Sequence, residues 1–368
     1  MRPVMVWSED LLAYDFGPGH PMDPVRLRLT RDLVASLRLD RSFRLVEPRI
    51  ADDDELALVH HRAFIAAVRS AGDSLRGDVA FGLGASEEEM ADTPVFAGMH
   101  EAAARLVGGT IEAVRAVGSG TAPRAVFFGG GMHHAMPGAA AGFCIYNDAA
   151  VAIADHLERG GGDVVYIDLD VHHGDGVERA FADDPRVTTI SVHQHPRSLF
   201  PHTGYSQDVC GGSAVNLPLP EDVDNAGWMR AVEAVVEPVV REVRPSLVVS
   251  QHGADPHRND PLASLGLSVE ALTEGARLVR SVAERYAAGR WVALGGGGYD
   301  VADAVPRAWA ALVAVVADVE VPAALGDGAA VRWRPYAEGH DPADPVDRAI
   351  TATRNAAFPG LGLDPLTA

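Results

Sequence analysis

The sequence predicts an α/β protein in three layers, with a mostly parallel sheet covered by helices on both faces. Short β-branched runs alternate with longer Ala-, Leu- and Val-rich segments of helical period, and several apolar runs end at glycines. Such strands, bounded by glycine and separated by helices, are typical of a parallel sheet that is buried on both sides. With 368 residues, 47% of them hydrophobic, the chain can bury a substantial core.

The individual elements follow from these patterns in chain order. Strands are predicted where β-branched, apolar runs precede turns, at 126–128, 164–170, 187–190, 247–250 and 291–294. Helices are predicted where apolar residues recur at helical spacing, at about 98–117, 148–159, 225–243, 268–288 and 302–317. Neither a linker nor a repeat interrupts them, so we predict one domain over residues 1–368, with its core at about 15–317. The Pro/Gly-rich segment 318–368 is expected to wrap around this core as loop and short helix.

Charge and composition exclude several functions. The formal net charge of −20 argues against nucleic-acid and anionic-membrane partners. Every basic side chain is arginine, which excludes a phosphate-binding Walker lysine and Schiff-base chemistry on lysine. The two cysteines, Cys144 and Cys210, form no CxxC motif, and no apolar run has the pattern of a signal peptide or the length of a membrane span. We therefore expect a cytoplasmic protein.

The chemistry is concentrated where predicted strands end. Residues 168–176 read Asp-Leu-Asp-Val-His-His-Gly-Asp-Gly, directly after an apolar strand. Side chains alternate between the two faces of a strand, so Asp168, Asp170 and His172 are expected to point the same way. Burying so many polar groups without a partner would be costly, which disfavours a plain polar strand end. We interpret Asp170 and His172 as half of a site for a divalent cation.

Two glycine-rich loops follow other predicted strands. Residues 129–134 are three glycines, a methionine and the pair His133 and His134. Tandem histidines suit a general base and a proton-donating neighbour, although surface or structural roles explain such a pair equally well. Residues 295–298 are four glycines before Tyr299, whose hydroxyl is expected to face the site. Without lysine or a GxGxxG pattern, phosphate binding by this loop is disfavoured.

A second metal-binding carboxylate is predicted in the loop 253–262. Spacing alone does not choose between Asp255 and Asp260, and a simple Asx turn is the competing interpretation. Together with Asp170 and His172, one of them would leave a catalytic metal with open positions for water and a substrate carbonyl. Zinc suits this set of ligands, and iron(II) is the competing metal.

Taken in chain order, the four loops at 129–134, 168–176, 253–262 and 295–299 resemble the histone deacetylase family and, within it, the bacterial acetoin-utilisation branch. Further matching motifs are Gly19-His20-Pro21-Met22 with Arg26, Asp92-Thr93-Pro94, Gly142-Phe143-Cys144-Ile145-Tyr146-Asn147-Asp148 and Phe200-Pro201-His202-Thr203-Gly204. The resemblance covers about residues 15–317, most of the chain, and the combination of motifs is specific. It implies the arginase/deacetylase-like α/β fold.

The resemblance also implies a role for each matching residue. The implied zinc ligands are Asp170, His172 and Asp260. The implied catalytic residues are His133 and His134, backed by Asp168 and Asp175 respectively, and Tyr299, which would stabilise the oxyanion. The implied substrate-binding residues are Asp92, Gly142, Phe143, Phe200, Leu267 and Arg26. In the family, the aspartate grips the substrate backbone, the phenylalanines form an acyl-lysine tunnel with the leucine near its rim, and the arginine lines a cavity for acetate.

The implied activity is zinc-dependent hydrolysis of the acetyl amide of N-acetyl-lysine in cytosolic proteins, with an acyl-CoA synthetase as one implied substrate. The alternative is an acetylpolyamine amidohydrolase, which uses the same chemistry on a small cation. A ureohydrolase would need more aspartate ligands, and a non-catalytic acyl-lysine binder would not need the histidine pair.

Two further expectations concern a potassium site and the histidines near the tunnel mouth. Family members bind potassium, which the resemblance places at main-chain oxygens near Asp168, Asp170 and His172 and at the side chain of Ser191. His202 stands where many members carry glycine, and His195 lies in the same loop; both either alter the tunnel mouth or are simply solvated.

Overall fold

The computed structural model describes residues 1–84 and 92–367, in which eight strands form a single sheet. The strands are β1 (Val4–Val6), β2 (Arg44–Val46), β3 (Arg124–Phe127), β4 (Val164–Asp168), β5 (Val187–Gln194), β6 (Ala214–Leu219), β7 (Leu247–Gln251) and β8 (Trp291–Leu294). Their spatial order is β2-β1-β3-β8-β7-β4-β5-β6, and every neighbouring pair is parallel.

The α-helices pack in two sets around this sheet. The helices are α1 (Val25–Ser36), α2 (Asp53–Leu56), α3 (Arg62–Ser74), α4 (Met99–Gly118), α5 (Asp148–Glu158), α6 (Asp175–Ala180), α7 (Asn225–Val243), α8 (Val269–Tyr286), α9 (Ala304–Ala317) and α10 (Pro345–Ala357). One set joins α3, α4 and α5, and the other joins α1, α9, α8 and α7. This is the α/β fold that the sequence predicts. In the parts of the chain that the structure describes, no helix combines the length and the apolar character needed to cross a membrane.

The central strands are buried except for Arg124 at the start of β3, and their carboxyl ends are in register. Phe127 of β3 pairs with Leu294 of β8, which pairs with Gln251 of β7, which in turn pairs with Asp168 of β4. Because all four strands are parallel, their carboxyl ends meet at one edge of the sheet. The four polar loops that follow these strands are therefore brought together.

The structure differs from the sequence-based prediction in the end of β4 and in several additional strands and helices. Strand β4 ends at Asp168 instead of residue 170, because Asp170 N–H turns back to the carboxylate of Asp168 at 3.2 Å. Strands β1, β2 and β6 and helices α1, α2, α3 and α6 were not predicted. The first two of these strands have three residues each, too few for a periodic pattern.

The segment after residue 318 forms α10, which packs on β6 and α7. Asp344 caps this helix by accepting the N–H of Val346 at 2.8 Å, and Pro345 occupies its first turn. Thr353 donates from its hydroxyl to the Asn216 carbonyl of β6 at 2.7 Å. Since β6 is an edge strand, α10 covers one edge of the sheet.

A buried ion pair fastens this segment to α7. The guanidinium of Arg230 contacts both carboxylate oxygens of Asp347, at 2.6 and 2.8 Å, and also donates to the carbonyl of Arg334 at 2.6 Å. The side chain of Asp347 is 0% exposed and that of Arg230 is 7% exposed. Removing one charge from such a pair leaves the other buried without its partner.

We expect Asp347→Asn to lower the free energy of unfolding by about 3 kcal/mol, near the lower end of the range for breaking a buried pair. Urea unfolding followed by circular dichroism measures this change. The control is Asp54→Asn, which breaks the exposed pair that Asp54 forms with Arg62 at 2.6 Å and should leave the unfolding curve almost unchanged. Equal effects of the two substitutions would contradict the structural importance of the buried pair.

Candidate active site

The two predicted histidines lie just beyond β3. His133 and His134 are buried, with ring centroids 3.9 Å apart. Gly131 adopts a φ of +100°, and a Cβ on it would lie 2.9 Å from the backbone of Gly295. A glycine is needed there because the two glycine-rich loops approach each other so closely. The loop conformation thus places the histidine pair against the neighbouring strand end.

Each histidine is bound to its own carboxylate. Nδ1 of His133 lies 2.8 Å from Oδ2 of Asp168, and Nδ1 of His134 lies 2.7 Å from Oδ1 of Asp175. Because an ionised carboxylate only accepts hydrogen bonds, both Nδ1 atoms carry the hydrogen. The hydroxyl of Tyr166 also donates to Asp168, at 2.9 Å. These contacts fix both rings and leave each Nε2 directed away from its aspartate.

The two histidines differ in proton affinity. Burial disfavours the charged form of both rings. For His133, the carboxylates of Asp168 and Asp170 outweigh burial and raise the pKa to about 9. For His134, burial and the positive charge of His133 lower the pKa to about 4, despite the contact with Asp175. Adjacent groups with separated pKa values suit different roles in one reaction.

A buried group of possible metal ligands lies beside this pair. Ligand atoms of Asp170, His172 and Asp255 all lie within 4.8 Å of one another. Nδ1 of His172 is 3.0 Å from Oδ1 of Asp170 and 3.2 Å from Oδ2 of Asp255. Oδ2 of Asp170 accepts from Nε2 of Gln251 at 2.6 Å and from the N–H of Gly297 at 2.8 Å. Neighbouring strand ends therefore orient this carboxylate.

The group of possible ligands contains Asp255 and not Asp260. Asp260 lies close enough to interact with the charges of Asp170 and His172. Oδ2 of Asp260 accepts the N–H of Tyr299 at 2.8 Å. Burial raises the pKa of Asp260 to about 6, although its backbone hydrogen bonds oppose the shift, and burial together with the charge of Asp170 raises the pKa of Asp255 to about 8. Three buried carboxylates around one imidazole repel one another, so this donor set fits a divalent cation. The distances alone select Asp255 as the third possible metal ligand beside Asp170 and His172, whereas the resemblance implies Asp260.

Tyr299 is half-buried beside the acidic cluster. Its ring lies edge-to-face with Phe143, with centroids 5.9 Å apart. Burial and the charges of Asp255 and Asp170 raise the pKa of Tyr299 well above its usual value. The hydroxyl therefore keeps its proton and can donate a hydrogen bond.

Arg26 is buried beneath the second glycine loop. Its Nη1 donates to the carbonyls of Gly296 and Gly298, both at 3.0 Å, and its guanidinium lies 5.0 Å from the ring centroid of Trp309. Arg26 thus holds the loop that precedes Tyr299. Its implied role at an acetate cavity stays a prediction.

Two aromatic rings lie beside the histidine pair and Tyr299, and their implied role as walls of an entrance stays a prediction. The Phe200 ring lies edge-to-face with His134 at 5.0 Å between centroids, and Phe143 adopts a φ of +66°. Asp92 is exposed, and its Oδ2 accepts the N–H of Gly142 at 2.7 Å. Asp92 therefore fixes the loop that carries Phe143.

Leu267, His195 and His202 were expected near the mouth of the substrate tunnel. Leu267 has 0% exposure, and its carbonyl accepts the N–H of Arg258 at 2.9 Å, so the expected position near an open rim is not found. His202 is exposed and donates from Nδ1 to a carbonyl of its own loop at 2.8 Å. His195 accepts a backbone N–H at 3.2 Å.

Several supporting residues were missed by sequence reasoning. Asp148 accepts the N–H of Gly131 at 3.0 Å and that of Met132 at 2.7 Å, and Asn147 donates to the carbonyl of His133 at 3.1 Å. Both residues stand in a matching motif, which was the available signal. Gln251, at the end of β7, had no such signal.

Comparison with known proteins shows the family to which this chain belongs. Residues 20–316 match the family model described as the histone deacetylase domain. The chain is 42% identical over 315 residues to the acetoin utilization protein AcuC of Bacillus subtilis (strain 168), covering 83% of this chain and 80% of that protein. It is 34% identical over 340 residues to AcuC of Staphylococcus xylosus, covering 90% and 87% respectively. These matches support a deacetylase activity, and the chain belongs to the histone deacetylase family.

Proposed function

We propose that this protein is a zinc-dependent lysine deacetylase that hydrolyses the acetyl amide of N-acetyl-lysine in cytosolic proteins. The observation that best supports this proposal is the position of two buried histidines, each bound to its own aspartate, beside the cluster around Asp170 and His172. A binding protein has no use for a second histidine–aspartate pair, whereas amide hydrolysis needs a base and an acid.

Asp170 and His172 would hold the metal, with Asp260 as the third ligand that the resemblance implies. Asp260 is 7% exposed and Asp255 is 0% exposed, so Asp260 lies nearer the open side that a catalytic metal needs. A divalent cation at this site would polarise the acyl carbonyl and lower the pKa of a water molecule. Zinc is the metal we propose, because it accepts a mixed set of carboxylate and imidazole ligands.

The side chains divide the remaining work. His134, neutral at pH 7, accepts the proton at Nε2 as the water oxygen bonds to the acyl carbon. The Tyr299 hydroxyl donates a hydrogen bond to the carbonyl oxygen as negative charge develops there. His134 then returns the proton to the lysine nitrogen while the carbon–nitrogen bond breaks, giving acetate and free lysine. His133 stays protonated and offsets the charge of the surrounding carboxylates.

The substrate would enter between aromatic rings. Phe143 and Phe200 suit the methylene chain of lysine, and the exposed carboxylate of Asp92 has acceptor capacity left for a substrate N–H. We propose acetylated proteins as substrates, with an acyl-CoA synthetase among them, and no nucleic-acid partner. Acetylated polyamines are the alternative, and the net charge of −20 favours cationic molecules in either case.

We also propose a structural potassium ion near the loop after β4 that carries Asp170 and His172. The supporting observation is the position of Ser191, whose Oγ accepts the N–H of Gly174 at 3.3 Å. The ion would lie at main-chain oxygens of Asp168, Asp170 and His172, as the resemblance implies.

The test is acetate release by the zinc-loaded protein from an acetyl-lysine peptide and from acetylspermidine, measured side by side. We expect peptide turnover, and we expect Tyr299→Phe to lower kcat by about 10²- to 10³-fold because one oxyanion donor is lost. KM should change little, since the ring and its contact with Phe143 remain.

The two substrates separate the possible outcomes. Turnover of acetylspermidine alone would transfer the enzyme to the polyamine alternative. No acetate from any acyl-lysine peptide would refute the lysine deacetylase proposal, and peptide turnover that persists in Tyr299→Phe would refute the role of its hydroxyl.

A further inference from the structure

Asp327 lies in the segment after α9 and gathers contacts from three other parts of the chain. Its Oδ2 accepts from Nε2 of His257 and from the N–H of Val269, both at 3.0 Å, and Nη2 of Arg258 lies 3.0 Å away. Its Oδ1 accepts from Nη1 of Arg307 at 2.7 Å. One carboxylate thus joins the loop after β7, the first turn of α8 and helix α9.

The contact with His257 connects Asp327 to the loop 253–262, which carries Asp255 and Asp260 and is called the ligand loop below. Nδ1 of His257 accepts the N–H of Asn259 at 3.2 Å, so Nε2 carries the hydrogen that is donated to Asp327. The carbonyl of His257 accepts the N–H of Asp260 at 2.9 Å. The side chain of His257 is 1% exposed and that of Asp327 is 12% exposed, so solvent hardly competes for this link. Asp327 therefore fixes the backbone immediately before Asp260.

The contact with Arg307 reaches the other side of the site. Arg307 lies on α9, the helix that follows Tyr299, and it also binds the carboxylate of Asp303 at 2.7 Å and the carbonyl of Leu325 at 2.9 Å. Because the N–H of Tyr299 donates to Asp260, the two segments held by Asp327 meet again inside the site. The carboxylate thus fixes the separation between them.

We propose that Asp327 is a positioning residue that holds the loop carrying Asp255 and Asp260 in its metal-binding geometry. The inference rests on the metal centre of the proposed function. Outer hydrogen-bond partners of metal ligands commonly affect metal affinity, and here the partner acts through His257 and the backbone. The segment after residue 318 is then required for the metal centre as well as for stability.

The chain offers a matched control for this inference. Asp347 fastens the same C-terminal segment through Arg230 on α7, and no contact found for it in the described residues involves the ligand loop. Asp347→Asn therefore reports what general loosening of this segment does. Asp327→Asn removes the charge that the loop needs, and Asp327→Glu keeps a carboxylate there.

The experiment titrates the metal-free full chain with Zn²⁺ against a chromophoric chelator. We expect Asp327→Asn to weaken Zn²⁺ binding by about 10- to 100-fold, the range seen for outer partners of metal ligands. Asp347→Asn should bind Zn²⁺ like the wild type, and Asp327→Glu should recover part of the loss. Hydrogen exchange should become faster in residues 257–260 of Asp327→Asn, as the loop loses its anchor.

Each result decides the inference. Equal Zn²⁺ affinity in Asp327→Asn and wild type overturns it, and so does an equal loss in Asp327→Asn and Asp347→Asn, because that loss would reflect general destabilisation. If Asp327→Asn does not fold, His257→Gln tests the same link, since glutamine cannot span Asp327 and Asn259 as the ring does. A wild-type chain that binds no Zn²⁺ would refute the metal centre of the proposed function itself.

Discussion

Asp260→Ala is expected to weaken metal binding by more than about 100-fold, beyond the loss that outer partners of a metal ligand produce, and to abolish acetate release. Asp255→Ala should weaken metal binding by only about 10- to 100-fold. The reason is the different surroundings of the two carboxylates. Asp255 is completely buried, its Oδ1 accepts the N–H of Val171 at 3.0 Å and its Oδ2 faces Nδ1 of His172, so it lies on the closed side of the cluster.

Asp260 has the complementary position. Asp260 retains some exposure. Its contact with the N–H of Tyr299 places it between the loop of Asp170 and His172 and the Tyr299 side chain, whose hydroxyl would meet the substrate carbonyl. A cation bound by Asp170, His172 and Asp260 would therefore face the entrance. The carboxylate of Asp255 lies deeper, against Gly297, where a Cβ would come within 2.0 Å of it.

Substitution with cobalt(II) gives the measurement, because its visible absorption reports the number and kind of ligands independently of turnover. We expect a visible cobalt(II) ligand-field spectrum in the wild type, an altered one in Asp255→Ala and almost none in Asp260→Ala. Glu221→Ala, on an exposed turn, removes a carboxylate outside the group of possible ligands and serves as the control. The reverse order of the two aspartate variants would assign the metal to Asp170, His172 and Asp255, the group that the distances alone select.

This ambiguity shows how far the sequence could predict the site. Long apolar strands and the polar residues that follow them were visible in the sequence, and parallel register then brings their loops together. The choice between Asp255 and Asp260 was not available from spacing, because both lie in one irregular loop whose course depends on contacts with distant residues. Asp327 illustrates this dependence, since no local pattern connects it with His257.

The fold shows the same limit. Strands β4 and β8 and helix α7 carry complete periodic patterns and were predicted nearly to their observed ends. Strand β1 was missed although it is fully buried between β2 and β3, because three apolar residues carry no period. Gln251 was missed for another reason: its contact with Asp170 depends on strand neighbours that are far apart in sequence.

His134→Gln is expected to lower kcat by about 10²- to 10⁴-fold, the contribution typical of a general base, and His133→Gln should lower it less. His134 is the ring that can accept a proton at neutral pH, because burial and the charge of His133 lower its pKa to about 4. His133 already carries a proton, since Asp168 and Asp170 raise its pKa to about 9 against the effect of burial. Its removal takes away positive charge and leaves the base in place.

The pH dependence of kcat/KM distinguishes these roles from simple structural damage. Activity should fall at low pH as His134 becomes protonated, because the protonated ring cannot act as a base. Removing the positive charge of His133 makes protonation of His134 easier, which raises its pKa. The acidic limb of His133→Gln should therefore move to higher pH relative to the wild type, a shift that a packing defect would not produce. A larger loss of kcat in His133→Gln than in His134→Gln, with the acidic limb unmoved, would exchange the two roles and make His133 the base.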